Sequence, residues 1–495
     1  MLELAGIIVL GIFAQWLAWR TKVPAILPLI LIGLLVGPVS TFFTQDGEKL
    51  LEPLLVRNAD GTIGIFPDKY LFSFVSLAIG VILFEGGLTL KRKEIAGVGP
   101  AILKMITIGS LITFLGAGMA AHYLMGLNWA VSFLFGALII VTGPTVIAPI
   151  LQNIPLNRNV STVLKWEGIL IDPIGALVAV LVFEFIRSAE GGVEFTSHAL
   201  VSFFQILLIG LAMGALAGYA LYQLIKRDLI PHYLLNVFTL AMVLLIFVFS
   251  DVLAHESGLL SVVVMGMVLG NMDVPWLKEI LSFKESLSVL LISILFIILA
   301  ALINVDDIQI IISDWRALGL FLSITLILRP LGVFISTRRS ELNFREKLFI
   351  SWVGPRGIVA AGIASLFGLT LTSETPPVED AEFLVPLVFM IVLGTVLINA
   401  TTARLVARLL KVTLDSSEGI LIVGANGASR MIGQYLQRRN RHVVLIDNNE
   451  SNVNKAREEN LEAYNVNIYT DDLADQFELL DMGYMISMTS SADIN

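Results

Sequence analysis

The sequence contains no cysteine, which excludes disulfide bonds and thiolate-ligated metal or iron–sulfur centres. It also lacks the histidine pairs that hold haem, so a membrane-bound oxidoreductase is not favoured. Charged residues make up only 15% of the chain, against about 25% in an ordinary soluble domain. The net charge of −9 leaves no basic excess for nucleic-acid phosphates. We therefore expect neither an enzyme nor a partner of nucleic acid.

Apolar residues dominate what is present, at 56% of the chain with a mean hydropathy of +0.84. A soluble globule could not bury so much apolar surface, so most of it is expected to face lipid. The chain opens Met1-Leu2-Glu3 without the basic residues of a cleaved signal peptide, which predicts that its first apolar run is a retained span. Thirteen apolar stretches, each about 17–25 residues long, predict an all-α polytopic membrane protein. The predicted spans are 4–19, 23–40, 69–89, 98–125, 128–152, 160–186, 197–225, 232–253, 257–273, 284–304, 315–337, 346–371 and 382–410.

Loop charges predict the orientation of these spans. Loops on one side carry most of the basic residues, including those within 91–93 and 338–347. Lys284, where the tenth span is predicted to begin, is counted with the loops of this side. The opposite loops carry only Lys49, Arg57, Lys69, Arg187 and Arg316. The positive-inside rule therefore places the N-terminus outside and the C-terminus in the cytoplasm.

The composition changes after the transmembrane domain, which we assign to residues 1–411. Residues 412–418 are a polar linker, and short apolar strands then alternate with polar helices over 419–495. This alternation predicts a Rossmann-like α/β domain. Because a complete domain of this kind is longer, we expect the chain to end within it.

Asp172 is the foremost charged residue inside a span, at the centre of the sixth. A carboxylate at that depth costs about 2.5–3.5 kcal/mol, so it usually faces a partner or an aqueous cavity. Gly168 lies on the same helical face and admits a second backbone, while Pro173 interrupts the local hydrogen bonding. The carboxylate is suited to hold either a dehydrated cation or a proton, and competition between the two is a mechanism of exchange. Neutralisation by a fixed lysine or arginine is the structural alternative.

Two spans contain glycine and proline together at mid-length. The fifth has Thr142-Gly143-Pro144-Thr145 and the twelfth has Gly354-Pro355-Arg356-Gly357. These spans cross in opposite directions, and paired broken helices of this kind predict an inverted-repeat transporter with its site at the midplane. Thr142 offers a hydroxyl there, and Arg356 can offset the negative helix ends. Simple kinks in two unrelated helices are the alternative.

Arg329, followed by Pro330, lies inside the eleventh span. Arginine stays protonated, so it needs a carboxylate, and we predict Glu167 as its partner in a structural pair. Glu167 precedes Asp172 by five residues, so the two side chains can border one cavity without pointing the same way.

Taken together, these motifs resemble the bacterial sodium–proton exchangers (the NhaP-like branch) of the monovalent cation/proton antiporter superfamily. The resemblance implies a homodimer in a bacterial inner membrane, an elevator-like motion and a part in pH homeostasis. It also implies an ion site at Asp172, assisted by Glu167 and Thr142. Where the family usually has asparagine and aspartate, this chain has Ile171 and Gly143, which favours one-for-one electroneutral exchange and leaves Na⁺ versus K⁺ open. The motifs that carry the resemblance, in family order, are Phe84-Glu-Gly-Gly-Leu88, the Thr-Gly-Pro break, the Glu167–Asp172 segment, Arg329-Pro330 and Gly354-Pro-Arg-Gly357.

The C-terminal piece resembles the nucleotide-binding regulatory domain (TrkA-N or RCK type) of potassium channels and related antiporters. In place of G-x-G-x-x-G it has Gly424-Ala-Asn426-Gly427-Ala-Ser429, and Asp447 is well placed for a ribose hydroxyl. We expect a regulatory nucleotide there (NAD(H), AMP, ADP, ATP or a cyclic dinucleotide), although Asn426 and Ser429 would crowd a pyrophosphate. A purely structural module is the alternative, and transport itself should need no cofactor.

A cation channel, or a channel-like K⁺ efflux system, gated by the C-terminal domain is the alternative function. It predicts a carbonyl-lined filter such as Thr-Val-Gly-Tyr-Gly, and the sequence contains no such run. Exchange of Na⁺ or K⁺ for protons is therefore the favoured interpretation.

Overall fold

The computed structural model describes the chain in two compact units. The first comprises Met1–Ile154 and Arg158–Leu410, and the second comprises Pro155–Asn157 and Lys411–Asn495. Most of the predicted linker, residues 414–418, lies outside the described residues. The structure describes all residues except 1, 22, 45–46, 55, 59–60, 96, 188–192, 273, 275–276, 306–313, 375, 414–418, 440, 468–481 and 490–495.

The first unit is helical, as predicted. Within its described residues, nine helices are long and apolar enough to cross a membrane, and four shorter apolar helices complete the thirteen spans. A short antiparallel hairpin, β1 (Val56–Asn58) and β2 (Gly61–Ile63), lies between the second and third spans. In chain order the spans are Leu2–Thr21, Ile26–Val36, Asp68–Thr89, Gly99–Met125, Trp129–Leu138 with Pro144–Asn153, Arg158–Arg187, Val193–Lys226, Leu235–Leu253, Ser257–Gly270, Leu277–Leu302, Trp315–Ser336, Phe344–Trp352 with Ile358–Ser373, and Leu384–Leu409.

The breaks of the fifth and twelfth spans meet each other. Thr142 and Arg356 form an antiparallel backbone bridge, and the Gly143 N–H donates to the Pro355 carbonyl at 3.0 Å. A Cβ on Gly143 would lie 2.5 Å from the Cα of Gly357, and a Cβ on Gly357 would lie 2.7 Å from the Cα of Gly143. Only glycine at both positions lets the two unwound segments approach this closely. The fold is therefore the predicted one, with two discontinuous helices that cross.

The predicted position of Lys284 in a cytoplasmic loop is wrong. The tenth span begins at Leu277, so Lys284 lies two turns inside it and is fully buried. Its ammonium group lies 5.4 Å from the centre of the Phe84 ring, and the opposite charge of Glu85 in the third span acts on it. The lysine was taken to mark the start of the span, whereas the helix begins two turns before it.

The described part of the second unit is a parallel sheet with helices. Its strands are β3 (Gly419–Val423), β4 (Val443–Asp447), β5 (Glu462–Asn465) and β6 (Met482–Ser487), and their order in the sheet is β5-β4-β3-β6. On the turn after β3, the second and third glycines of the dinucleotide pattern are replaced. Strand order reverses at β3, which is the arrangement of a doubly wound fold. The helix Gly427–Gln437 follows β3, and the helix Glu450–Glu458 follows β4.

Candidate functional site

Asp172 lies on the face of the sixth span that packs against the first break. Gly168, Asp172 and Gly175 are spaced four and three residues apart, so they share one helical face. A Cβ on Gly168 would lie 3.6 Å from the Cα of Pro144, and a Cβ on Gly175 would lie 3.3 Å from the Val141 nitrogen. Because neither glycine has a side chain, the first break can pack closely against this helix face on both sides of Asp172.

Three side-chain oxygens in this region are buried without a hydrogen-bond partner among the described residues. They belong to Asp172, which is 1% exposed, to Thr142, also 1% exposed, and to Thr145 at 9%. Buried polar atoms are nearly always paired with protein, water or an ion, because an unpaired one costs free energy. A carboxylate with two hydroxyls supplies the oxygen ligands that a hard cation requires. Thr145 was not predicted as a candidate ligand from the sequence. Its position directly after Pro144, in the first turn of helix Pro144–Asn153, could have indicated it.

The two arginines serve the negative ends of the interrupted helices. Arg356 donates from Nη1 to the Ile140 carbonyl at 3.2 Å, just past the end of helix Trp129–Leu138. Arg329 donates from Nη2 to the carbonyls of Ile350 and Val353, each at 3.3 Å, where helix Phe344–Trp352 ends. Each C-terminal half-helix end therefore has a guanidinium beside it, which is the favourable electrostatic arrangement.

The predicted pair of Arg329 and Glu167 is present. Arg329 Nη1 donates to one oxygen of Glu167 and Nη2 donates to the other at 2.9 Å. The Glu167 side chain is 3% exposed, and each of its two carboxylate oxygens accepts a hydrogen bond from Arg329. Glu167, Arg329 and Arg356 border a small cavity of about 10 Å³, so the structure brings these predicted residues together.

Gly354 and Pro355 give the second break its shape. A Cβ on Gly354 would lie 2.6 Å from Nε of Arg329, so this glycine leaves the space that the guanidinium occupies. The carbonyl of Pro355 accepts the hydrogen bond from Gly143. Both residues are buried.

The predicted nucleotide site of the second unit is partly occupied by the chain's own groups. Asp447 accepts from the backbone N–H of Ala425 at 2.8 Å, from the Asn449 N–H at 2.9 Å and from the Asn452 side chain at 3.0 Å. Asn426 caps the helix Gly427–Gln437 by accepting from the Ser429 N–H. A carboxylate has about four acceptor positions, so Asp447 keeps one for a ribose hydroxyl. Asp447 can therefore accept a ribose hydroxyl, whereas the side chain of Asn426 stands where the glycine pattern would leave space for a pyrophosphate.

Comparisons with known proteins agree with this architecture. The family model described as "Sodium/hydrogen exchanger, transmembrane" matches residues 6–409, and the TrkA-N domain matches residues 420–495. The chain belongs to the sodium/hydrogen exchanger family. The resemblance seen in its motifs is confirmed, and so is its nature as a multi-pass membrane protein of an antiporter family.

Relatives within the sodium/hydrogen exchanger family carry names for two different ions. The chain is 28% identical over 402 residues to a protein named K(+)/H(+) antiporter NhaP2 from Shewanella sp. strain ANA-3, covering 78% of this chain and 67% of that protein. It is 27% identical over 430 residues to Na(+)/H(+) antiporter 1 of Methanocaldococcus jannaschii, covering 81% of this chain and 93% of that protein. These relatives are transporters rather than enzymes.

Solved structures share the exchanger fold. The sodium proton antiporter MjNhaP1 from Methanocaldococcus jannaschii at pH 8 superposes with a TM-score of 0.67 at 23% identity, over 82% of this chain and 97% of that one. An electron-microscopy structure of the same antiporter gives a TM-score of 0.68 at 24% identity. At this identity the likeness establishes the fold.

A cavity of about 700 Å³ lies apart from Asp172. It is bordered by the third span, by the connection between the eighth and ninth spans, and by the helix that follows the second break. Its walls are mainly apolar, and Asp251, His255 and Glu256 line one edge. Val359, one residue past the start of helix Ile358–Ser373, lies on its wall. The cavity therefore reaches to within a helical turn of the second break.

Glu256 lies outside the helices, in the connection between Leu253 and Ser257, and its charge depends on pH. Burial, and then the like charge of Asp251, raise the pKa of Glu256 to about 7, while His255 acts in the opposite direction. In the unfolded chain this carboxyl titrates near 4.5. Between these two values the folded state holds a proton that the unfolded state has lost, so stability falls as pH rises and levels off above 7.

We predict that Glu256→Gln removes this pH dependence. The unfolding midpoint of the variant, minus that of the unmodified protein, should grow as pH rises from 4.5 to 7, because the variant never acquires the buried charge. Thermal unfolding of purified protein across this range measures it, with Glu379→Gln in an exposed loop as the control. A constant difference across the range would contradict the raised pKa.

We also predict that Gly354→Ala destabilises the exchanger by displacing the guanidinium of Arg329. Four hydrogen bonds hold this group, so it cannot move aside without breaking its pair with Glu167. Breaking a buried ion pair costs about 3–5 kcal/mol, and the unfolding midpoint should drop accordingly. Gly319→Ala is the matched control, since a Cβ there meets nothing within 4 Å. Equal midpoints for the two variants would refute the packing argument.

Proposed function

We propose that this chain exchanges Na⁺ or K⁺ for protons across the cytoplasmic membrane, and that cation and proton compete for Asp172. One observation carries the proposal: Asp172 is 1% exposed, one of its carboxylate oxygens has no partner in the described part of the chain, and its helix face packs against the first break. A carboxylate in such surroundings is costly as a bare anion, so either a cation or a proton has to neutralise it. Loss of one therefore favours uptake of the other.

Thr142 assists by offering its hydroxyl oxygen to the dehydrated cation. Its hydroxyl has no hydrogen-bond partner among the described residues, and its backbone is fixed by the bridge to Arg356. Glu167 assists indirectly, because it neutralises Arg329 and so keeps that fixed positive charge from pairing with Asp172. Gly143 and Pro144 bring the break close enough for these oxygens to converge.

The exchange is one proton for one cation and so electroneutral. Arg329 is matched by Glu167, and Arg356 is matched by a helix end, which leaves Asp172 as the exchangeable charge of the site. Gly143 and Ile171 add no further carboxylate. Relatives named for K⁺ and for Na⁺ are about equally similar, and we propose a monovalent cation without choosing between them.

Alternating access results from an elevator-like movement in which the two crossing helices and the sixth span move together against the rest of the transmembrane unit. The cavity beside Asp251 and Glu256 supports this, because it separates the helix after the second break from the third and eighth spans. We propose a homodimer with its N-terminus outside. Residues 1–411 form the transport domain, and residues 419–495, joined by 412–418, regulate it through a cytosolic nucleotide.

The proposal predicts that Asp172→Asn abolishes exchange, because an amide can neither release a proton nor neutralise a cation. Purified protein in liposomes with a preset pH gradient should dissipate it on addition of Na⁺ or K⁺, and the variant should match protein-free liposomes. Glu184→Gln, an exposed carboxylate on the same helix, is the control and should exchange normally. Exchange at the unmodified rate by Asp172→Asn would overturn the site.

A further inference from the structure

The thirteenth span turns a polar face toward the second break. Thr395, Asn399 and Thr402 are spaced four and three residues apart in a helix that is otherwise mostly apolar, so they share one side. Thr395 is 2% exposed and Asn399 is 1% exposed. The Trp352 indole donates to Thr402 Oγ1 at 2.9 Å, which places this side along the end of helix Phe344–Trp352.

Thr395 supplies the hydrogen-bond acceptor for a backbone group of the break. The Arg356 N–H lies in unwound chain, where no helical carbonyl is available, and it donates to Thr395 Oγ1 at 3.1 Å. The hydroxyl hydrogen of Thr395 is directed back to its own helix, to the Ile391 carbonyl at 2.7 Å. This second bond fixes the hydroxyl, so that its lone pair points at Arg356.

Asn399 reinforces the arrangement one turn further on. Its amide donates to the Thr395 carbonyl at 2.7 Å, while its oxygen is buried without a partner in the described structure. Two buried polar side chains one turn apart cost free energy in an apolar membrane helix, which indicates a role beyond packing.

The position of Arg356 is transmitted to the first break. Its backbone is bridged to Thr142, and its guanidinium reaches the Ile140 carbonyl at 3.2 Å. Both contacts lie on the segment that faces Asp172. A shift of the Arg356 backbone would therefore move the Thr142 hydroxyl relative to the carboxylate.

The geometry points to Thr395 as a positioning residue for cation binding, which acts by fixing Arg356 and, through it, Thr142. This inference rests on the proposed function, since it assumes that Thr142 and Asp172 hold the cation. Thr395 touches neither Thr142 nor the ion in this scheme. Its oxygen sets how well the two breaks are aligned, and so how tightly the cation is held.

Cation-driven exchange in liposomes, measured over a range of Na⁺ and K⁺ concentrations, tests the inference. Thr395→Val keeps the shape of the side chain and removes the acceptor, so the apparent KM for the cation should rise by about fivefold or more. The maximal rate should stay within about twofold, since Asp172 is untouched. Thr395→Ser keeps the oxygen and should restore the unmodified KM.

Thr401→Val is the matched control, because Thr401 is an exposed threonine of the same helix whose hydroxyl donates to the Leu397 and Ile398 carbonyls of that helix. Unfolding midpoints of all variants show whether a changed KM reflects misfolding. An unchanged KM in Thr395→Val, or a Thr395→Ser variant as impaired as Thr395→Val, would overturn the role of the oxygen. If the unmodified protein fails to exchange, the proposed function falls, and this inference falls with it.

Discussion

Unwound backbone inside a lipid bilayer has to find its hydrogen bonds within the protein, because no water is available to supply them. In this chain the two interrupted helices satisfy much of that requirement by crossing. Gly143 donates to Pro355, Thr142 is bridged to Arg356, and the facing glycines at 143 and 357 allow the contact. What remains is supplied from neighbouring spans, by Arg329 for the carbonyls at one helix end and by Thr395 for the Arg356 N–H.

The distribution of charge follows from the same crossing. Two helices that end at mid-membrane leave two negative ends, and each has an arginine beside it. One of these arginines is further held by Glu167, through both oxygens of the carboxylate. Asp172 stands apart from these pairings, on the face that packs against the first break. The structural charges thus compensate one another, and the proposed exchange of cation and proton is assigned to Asp172.

Sequence patterns predicted the features that depend on rare residues in apolar surroundings. Glycine and proline at mid-span gave the breaks, and the scarcity of intramembrane charge made Glu167 the evident partner of Arg329. Lys284 was misplaced because a buried lysine near a helix end has the same local signal as a loop lysine. Thr395 was missed because a threonine in an apolar helix usually bonds its own backbone, and only the crossing reveals a second partner. Likewise, the capping role of Asn426 depends on a turn whose geometry the glycine pattern alone does not give.

Cation and proton are proposed to exclude each other at one carboxylate, that of Asp172. This exclusion is tested most directly by adding saturating Na⁺ or K⁺ to purified protein in weakly buffered detergent, while a pH indicator and calorimetry follow proton release and cation binding together. The account predicts release of about one proton for each cation bound. Cation binding without proton release would contradict it.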